Sequence, residues 1–138
     1  MPVGRPISVR FEREVDRQVR GLARRTRRPL GRVINELIDH ALRMRRFPGI
    51  VFVEGPVGPV AHVAGTGLDV WEIVALVRAY GSVDRVLEAF PHLPAPAVHT
   101  ALAYAEEYRE EIEEAIRENE RPVEEVLREY PFIRKVHV

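Results

Sequence analysis

Residues 1–46 carry three apolar stripes and too little chain to bury them. Ile7, Val9 and Phe11 alternate with Ser8 and Arg10, the period of a strand with one apolar face. Helical spacing follows. Val15, Val19, Leu22 and Ala23 share one face of a first helix, and Leu30, Val33, Ile34, Leu37, Ile38, Ala41 and Leu42 line a second. Thr26-Arg27-Arg28-Pro29 separates the two, because Pro29 suits a helix start where its missing N–H has no role. Phe47-Pro48-Gly49 ends the second helix. A strand this short is unstable alone, and a segment of this size cannot enclose a core. Two chains that pair their strands antiparallel and interlock their helices remove both difficulties. The expected dimerisation core is Ile7, Val9, Phe11, Leu30, Ile34 and Ile38.

Such a paired ribbon turns Ser8 and Arg10 of both chains to its polar face. A two-stranded ribbon fits the major groove of B-DNA, where arginine bridges guanine O6 and N7. Charge points the same way. Residues 1–46 hold 13 of the 21 basic residues and only five acids, a balance of +8, and the rest of the chain balances it at −8. Arg5 extends the basic strand end, and Arg27 and Arg28 stand before the second helix, whose free N–H groups can hold a phosphate. The expected DNA-binding set is therefore Ser8, Arg10, Arg5, Arg27 and Arg28. The competing reading is that the two charged halves attract each other across a dimer.

Ile7-Ser8-Val9-Arg10-Phe11, then Val15, Val19 and Leu22-Ala23, then Ile34, Ile38 and Ala41-Leu42 resemble the ribbon-helix-helix repressors, which include many antitoxin N-termini. The resemblance implies base reading by Ser8 and Arg10. The chain departs from that pattern at Arg27, where many members have glycine, and at Pro29, where many have serine or threonine.

Beyond residue 47 the patterns change. Ile50-Val51-Phe52-Val53 and Val60-Ala61-His62-Val63 are β-rich runs around a loose proline-bearing turn, residues 54–59, so a hairpin is expected. Gly65-Thr66-Gly67 is a second turn. Asp69 should cap a helix over residues 70–80 that Gly81 stops, and Ser82 should cap a short one running to Phe90. A long helix is expected over residues 96–119, with Glu113 paired to Arg117, and a last helix over residues 123–130. Gly58-Pro59, Val63-Ala64-Gly65-Thr66, Val70-Trp71-Glu72-Ile73, Gly81-Ser82, Phe90-Pro91-His92-Leu93, Val98, Ala101-Leu102 and Tyr104-Ala105 resemble a family of small antitoxin-like domains associated with VapB-type antitoxins. That family joins a hairpin to a helix-turn-helix-like three-helix bundle. Members usually have arginine where Gly67 stands here. The resemblance implies a toxin partner, often a PIN-type ribonuclease, and autoregulation of the operon. A winged-helix role on DNA fits poorly, because residues 51–105 carry two arginines against five acids.

The fold expected is mainly α with short β: a dimeric ribbon-helix-helix module at 1–46, a hairpin and helical domain at 47–119, and a C-terminal arm at 120–138. Within the arm, Phe132, Ile133 and Val136 belong to an apolar, β-prone tail that either folds back or joins a partner, and they are its candidate partner-binding residues. The acidic run over residues 106–129, with eleven acids and four arginines, is either a solvated helix or an arm for a basic partner. Enzymatic chemistry finds no support. Ser8 and Ser82 are the only serines and neither sits in a nucleophile motif, no phosphate-cradling glycine loop occurs, and no histidines fall at ligand spacing. No catalytic residue, metal or cofactor is expected. With no cysteine, no bilayer-length apolar run and no signal peptide at the N-terminus, a cytoplasmic protein is expected. The functional expectation is an antitoxin-like repressor: a homodimer or higher oligomer that binds operator DNA in the major groove, holds a toxin through its C-terminal part and has no membrane role. The alternatives are a stand-alone dimeric regulator and a dimeric scaffold that binds no DNA.

Overall fold

A computed structural model describes residues 3–120. Those residues form six helices and one three-stranded antiparallel sheet, in the order α1 (Arg13–Thr26), α2 (Leu30–Arg46), β1 (Ile50–Gly55), β2 (Gly58–Val63), β3 (Leu68–Asp69), α3 (Val70–Tyr80), α4 (Val83–Ala89), α5 (Ala95–Glu107) and α6 (Arg109–Asn119). They divide into two compact units, one ending at Leu42 and the other starting at Arg43. The helix expected over residues 123–130 and the tail residues Phe132, Ile133 and Val136 lie outside the described residues.

In the first unit, residues 3–12 take neither helical nor strand structure, so the strand expected over residues 7–11 makes no ladder within one chain. This follows from physics already stated: an isolated strand has no partner for its N–H and C=O groups. The helices begin and end close to where the sequence places them. The connection after α1 turns on Arg27, whose φ of 54° and ψ of 41° put a non-glycine residue in the left-handed region. Arg28 N–H returns to the Ala23 carbonyl at 3.1 Å, which satisfies an otherwise orphaned acceptor at the end of α1. Among the described residues of this unit, only Gly21, Ala23 and Val33 are buried.

The second unit has a core. Ile50, Ala61, Val63, Val70, Ile73, Val74, Val86, Leu93, Val98, Ala101, Tyr104, Ile112 and Ile116 form one buried cluster. The hairpin is tighter than its sequence indicates. Strand pairing continues into the expected turn, through Glu54 opposite Pro59, to Gly55 opposite Gly58, leaving Pro56 and Val57 as a two-residue tip. Gly58, which closes the ladder opposite Gly55, takes a φ of 126° that an L side chain rarely adopts. Val57 stands 99% exposed at that tip. β3, just Leu68 and Asp69, adds a third strand opposite His62 and Val63.

α3 starts and stops as the sequence requires. The Glu72 carboxylate reaches back to accept from the Asp69 N–H at 3.0 Å, and Gly81 ends the helix at φ 92°. The Ser82 hydroxyl accepts from the Arg85 N–H at 3.2 Å at the start of α4. The expected single helix over residues 96–119 is two helices, which corrects its length; residues 51–105, where three helices are expected, hold α3, α4 and most of α5. Tyr108, at φ −114° and ψ 47°, breaks the expected long helix. The break has a tertiary cause: it seats Tyr108 4.7 Å from the ring of Tyr104 and lets Ile112 and Ile116 turn into the core, where α6 packs on α3.

Candidate functional site

The DNA-binding residues expected from sequence fall on the first unit. Arg5, Ser8 and Arg10 are all exposed in the irregular segment before α1. Arg27 is exposed at the turn between the helices. Arg28 is engaged: its guanidinium pairs with Glu36 at 2.5 Å, and both side chains are about a quarter exposed. Its charge is therefore partly spent inside the unit.

The dimerisation residues divide into two groups. Phe11, Leu30 and Ile34 are half-buried. Ile7 is 83% exposed, Val9 60% and Ile38 54%. Val15, Leu37 and Leu42 are exposed as well. An open cleft of about 520 Å³ runs between α1 and α2, lined by Val15, Val19, Leu22 and Leu37 with Arg17 and Arg25 at its rim. A single chain thus leaves Val15 of α1 and Leu37, Ile38 and Leu42 of α2 in water, although Val33 of the α2 stripe is buried. Free energy falls by about 25 cal/mol for each Å² of such surface covered.

A second constellation, which the sequence reading missed, lies in the second unit. Arg43, in the last turn of α2, donates to the Tyr104 hydroxyl at 2.8 Å and to a Glu111 oxygen at 2.9 Å. Tyr104 is fully buried and donates in turn to the other Glu111 oxygen at 2.8 Å. Arg46 pairs with Glu107 at 3.1 Å. Phe47 meets Tyr104 edge-on at 5.4 Å. Burial opposes the charge on Arg43, but its bonds to Glu111 and Tyr104 outweigh that and hold its pKa above the usual arginine value. Burial, then the Glu111 carboxylate, push the Tyr104 hydroxyl well above the ordinary tyrosine value, while Arg43 pulls the other way. No motif announces this cluster, because its members lie some sixty residues apart in sequence.

These contacts also change the reading of the acidic run. Glu107 and Glu111 are taken by α2 arginines, and Glu113 pairs with Arg78 of α3. The expected pairing of Glu113 with Arg117 is corrected: Arg117 bonds Glu114 at 2.5 Å instead. Arg78 holds the Glu113 carboxyl below its ordinary pKa. Within residues 3–120, much of the acidic surface therefore balances arginines of its own unit. Among the described residues, no group of three or more His, Asp or Glu is placed to hold a metal. No helix among them is long and apolar enough to cross a membrane.

On the outer side of α3, Asp69 gathers two further contacts. One of its oxygens meets His62 Nδ1 at 2.8 Å and the other accepts from the Trp71 indole N–H at 3.2 Å. Beside them lies a groove of about 510 Å³ whose wall is mostly apolar, formed by Leu68, Trp71, Leu76 and Phe90 with Thr66 and His92. Several of the residues that carry the antitoxin-like resemblance, Thr66, Trp71, Phe90 and His92, meet in this groove.

Comparison with known proteins bears on the second unit. No curated protein and no solved structure gives a significant match to the chain. Residues 54–105, from the end of β1 into α5, match a protein family described as "Protein of unknown function (DUF433)", and that stretch contains both the His62–Asp69–Trp71 contacts and the α3 groove.

Proposed function

We propose that the first unit is a DNA-binding module of the ribbon-helix-helix type that works as a homodimer, and that the chain is an antitoxin-like transcriptional repressor. The observation that carries this reading is the uncovered apolar stripe: Ile7 and Val9 before α1, Val15 on α1, and Leu37, Ile38 and Leu42 on α2. Residues this apolar, alternating first with period two and then at helical spacing, have a natural cover in a second copy of themselves. Pairing residues 7–11 of two chains supplies the missing ladder and sets Ser8 and Arg10 on its outer face. The positive balance of residues 1–46 supports DNA as the ligand, since phosphate contacts supply most of the affinity.

The second unit is proposed as the protein-contact half of the repressor. Its acidic balance disfavours phosphate binding. The toxin partner, a nuclease of the PIN type, rests on the antitoxin-like resemblance of residues 51–105.

Sedimentation of the full chain and gel shifts with the DNA upstream of its own gene test the reading. A dimer that binds this DNA is expected. Arg10→Ala should leave the dimer intact and weaken specific binding by about 1–3 kcal/mol per half-site contact. Val9→Glu should yield monomers that bind no DNA. A parent chain that sediments as a folded monomer overturns the dimer, and unchanged operator affinity in Arg10→Ala overturns base reading by the strand.

A further inference from the structure

We propose that the groove on the outer side of α3 is the seat of this chain's own C-terminal segment, residues 130–138. The groove is built for an apolar occupant. Leu68, Trp71, Leu76 and Phe90 are each only half-buried around it, although all pack against the main core through their other sides. Its one acidic lining group is Glu72, whose Oε1 accepts from the Asp69 N–H.

The segment has the matching chemistry. Tyr130-Pro131-Phe132-Ile133-Arg134-Lys135-Val136-His137-Val138 places three large apolar side chains, Phe132, Ile133 and Val136, around the adjacent bases Arg134 and Lys135. The second unit is otherwise acidic from residue 51 to 105, so a basic apolar strap complements both the wall and the surrounding charge. Connection is short. Glu120 follows the end of α6, which packs on α3 and pairs its Glu113 with Arg78 in the last turn of α3. Ala79, in the same turn of α3, lines the groove. The twelve positions from Glu120 to Phe132 can span up to about 40 Å, several times the roughly 12 Å that separates Trp71 from Ala79 along the helix.

Trp71 is the only tryptophan in the chain and lies in the groove wall, so its fluorescence reports the occupant directly. The test uses the full chain and its double variant Phe132→Ser/Ile133→Ser. In the variant, Trp71 emission should move to longer wavelength and acrylamide quenching should rise roughly twofold, because the indole loses the atoms that covered its open face. A synthetic peptide of residues 130–138 added to the variant should restore the parent emission. Phe132→Leu, which keeps an apolar filler, should behave as the parent does. Identical emission and quenching in the parent and the double variant, with no response to the peptide, overturn the proposal.

Discussion

The guanidinium carbon of Arg43 lies 3.8 Å from the centroid of the Tyr108 ring. The flat cation rests on the π face while its Nη1 reaches past to Tyr104 and Glu111. A lysine keeps the charge and has donors enough for both bonds, but it loses the flat cation that lies on the ring. Arg43→Lys should therefore destabilise the protein by about 1–2 kcal/mol, read as a lower urea midpoint. Arg43→Ala should cost more, because it leaves the buried Tyr104 hydroxyl short of a partner. Equal midpoints for Arg43→Lys and the parent would remove the stacking from the account.

Tyr104 makes a prediction in alkali. Unfolded, its hydroxyl ionises near the ordinary value of 10; folded, burial and the Glu111 carboxylate keep the proton on to higher pH. A group whose pKa is raised by folding stabilises fully below its unfolded pKa and loses that contribution as pH rises through the folded value. Stability should thus fall between pH 10 and the onset of Tyr104 ionisation. Tyr104→Phe should flatten that fall while lowering stability at neutral pH by about 1–2 kcal/mol. Urea midpoints measured at several pH values from 8 upward give both quantities.

Arg27 occupies a backbone conformation that costs a non-glycine residue about 1 kcal/mol. Arg27→Gly should raise the melting temperature slightly and, on the proposed function, weaken binding to all DNA sequences alike. A lower melting temperature would mean that the arginine side chain supports the turn by more than its backbone strain costs.

Gly55 is needed for space and not for a special φ. A Cβ there would lie 2.8 Å from Val60 Cγ2 and 3.1 Å from the Gly58 carbonyl oxygen. Neither neighbour can yield easily at a two-residue hairpin end. Gly55→Ala should cost about 1–3 kcal/mol, measured by chemical denaturation.

Ile38 is half in water on α2 of a single chain. Introducing a charge there, as Ile38→Glu, should cost the folded single chain little. On the proposed dimer it should shift the sedimentation coefficient to that of a monomer. An unchanged dimer would place the partner elsewhere.

The legible parts of this fold are those written in local chemistry. Asp69 with Glu72, Gly81, and Ser82 with the Arg85 N–H mark the ends of α3 and the start of α4 in sequence, and the structure places them there. The interruption at Tyr108 was illegible for a physical reason: residues 96–119 contain no glycine, and their only proline is at the very start. What bends them is Arg43, Tyr104 and the hydrophobic demand of Ile112 and Ile116, all tertiary. The same holds for Glu113, which by spacing belongs with Arg117 but meets Arg78 across thirty-five residues. Of the candidate site, Arg5, Ser8, Arg10 and Arg27 are exposed, but Ile7 and Val9 are exposed as well, so the alternation of the expected strand leaves no mark on a single chain. The Arg28–Glu36 pair was not legible, since only the folded turn brings positions eight apart together.

The hairpin tip also gives the molecule an experimental handle. Val57 projects almost wholly into solvent, and the chain contains no cysteine. Val57→Cys would therefore introduce the sole thiol of each chain at a site that touches no core residue. A nitroxide attached there would report the separation of two hairpins in an assembled pair, and a fluorophore would follow the second unit through association without wild-type thiols to compete.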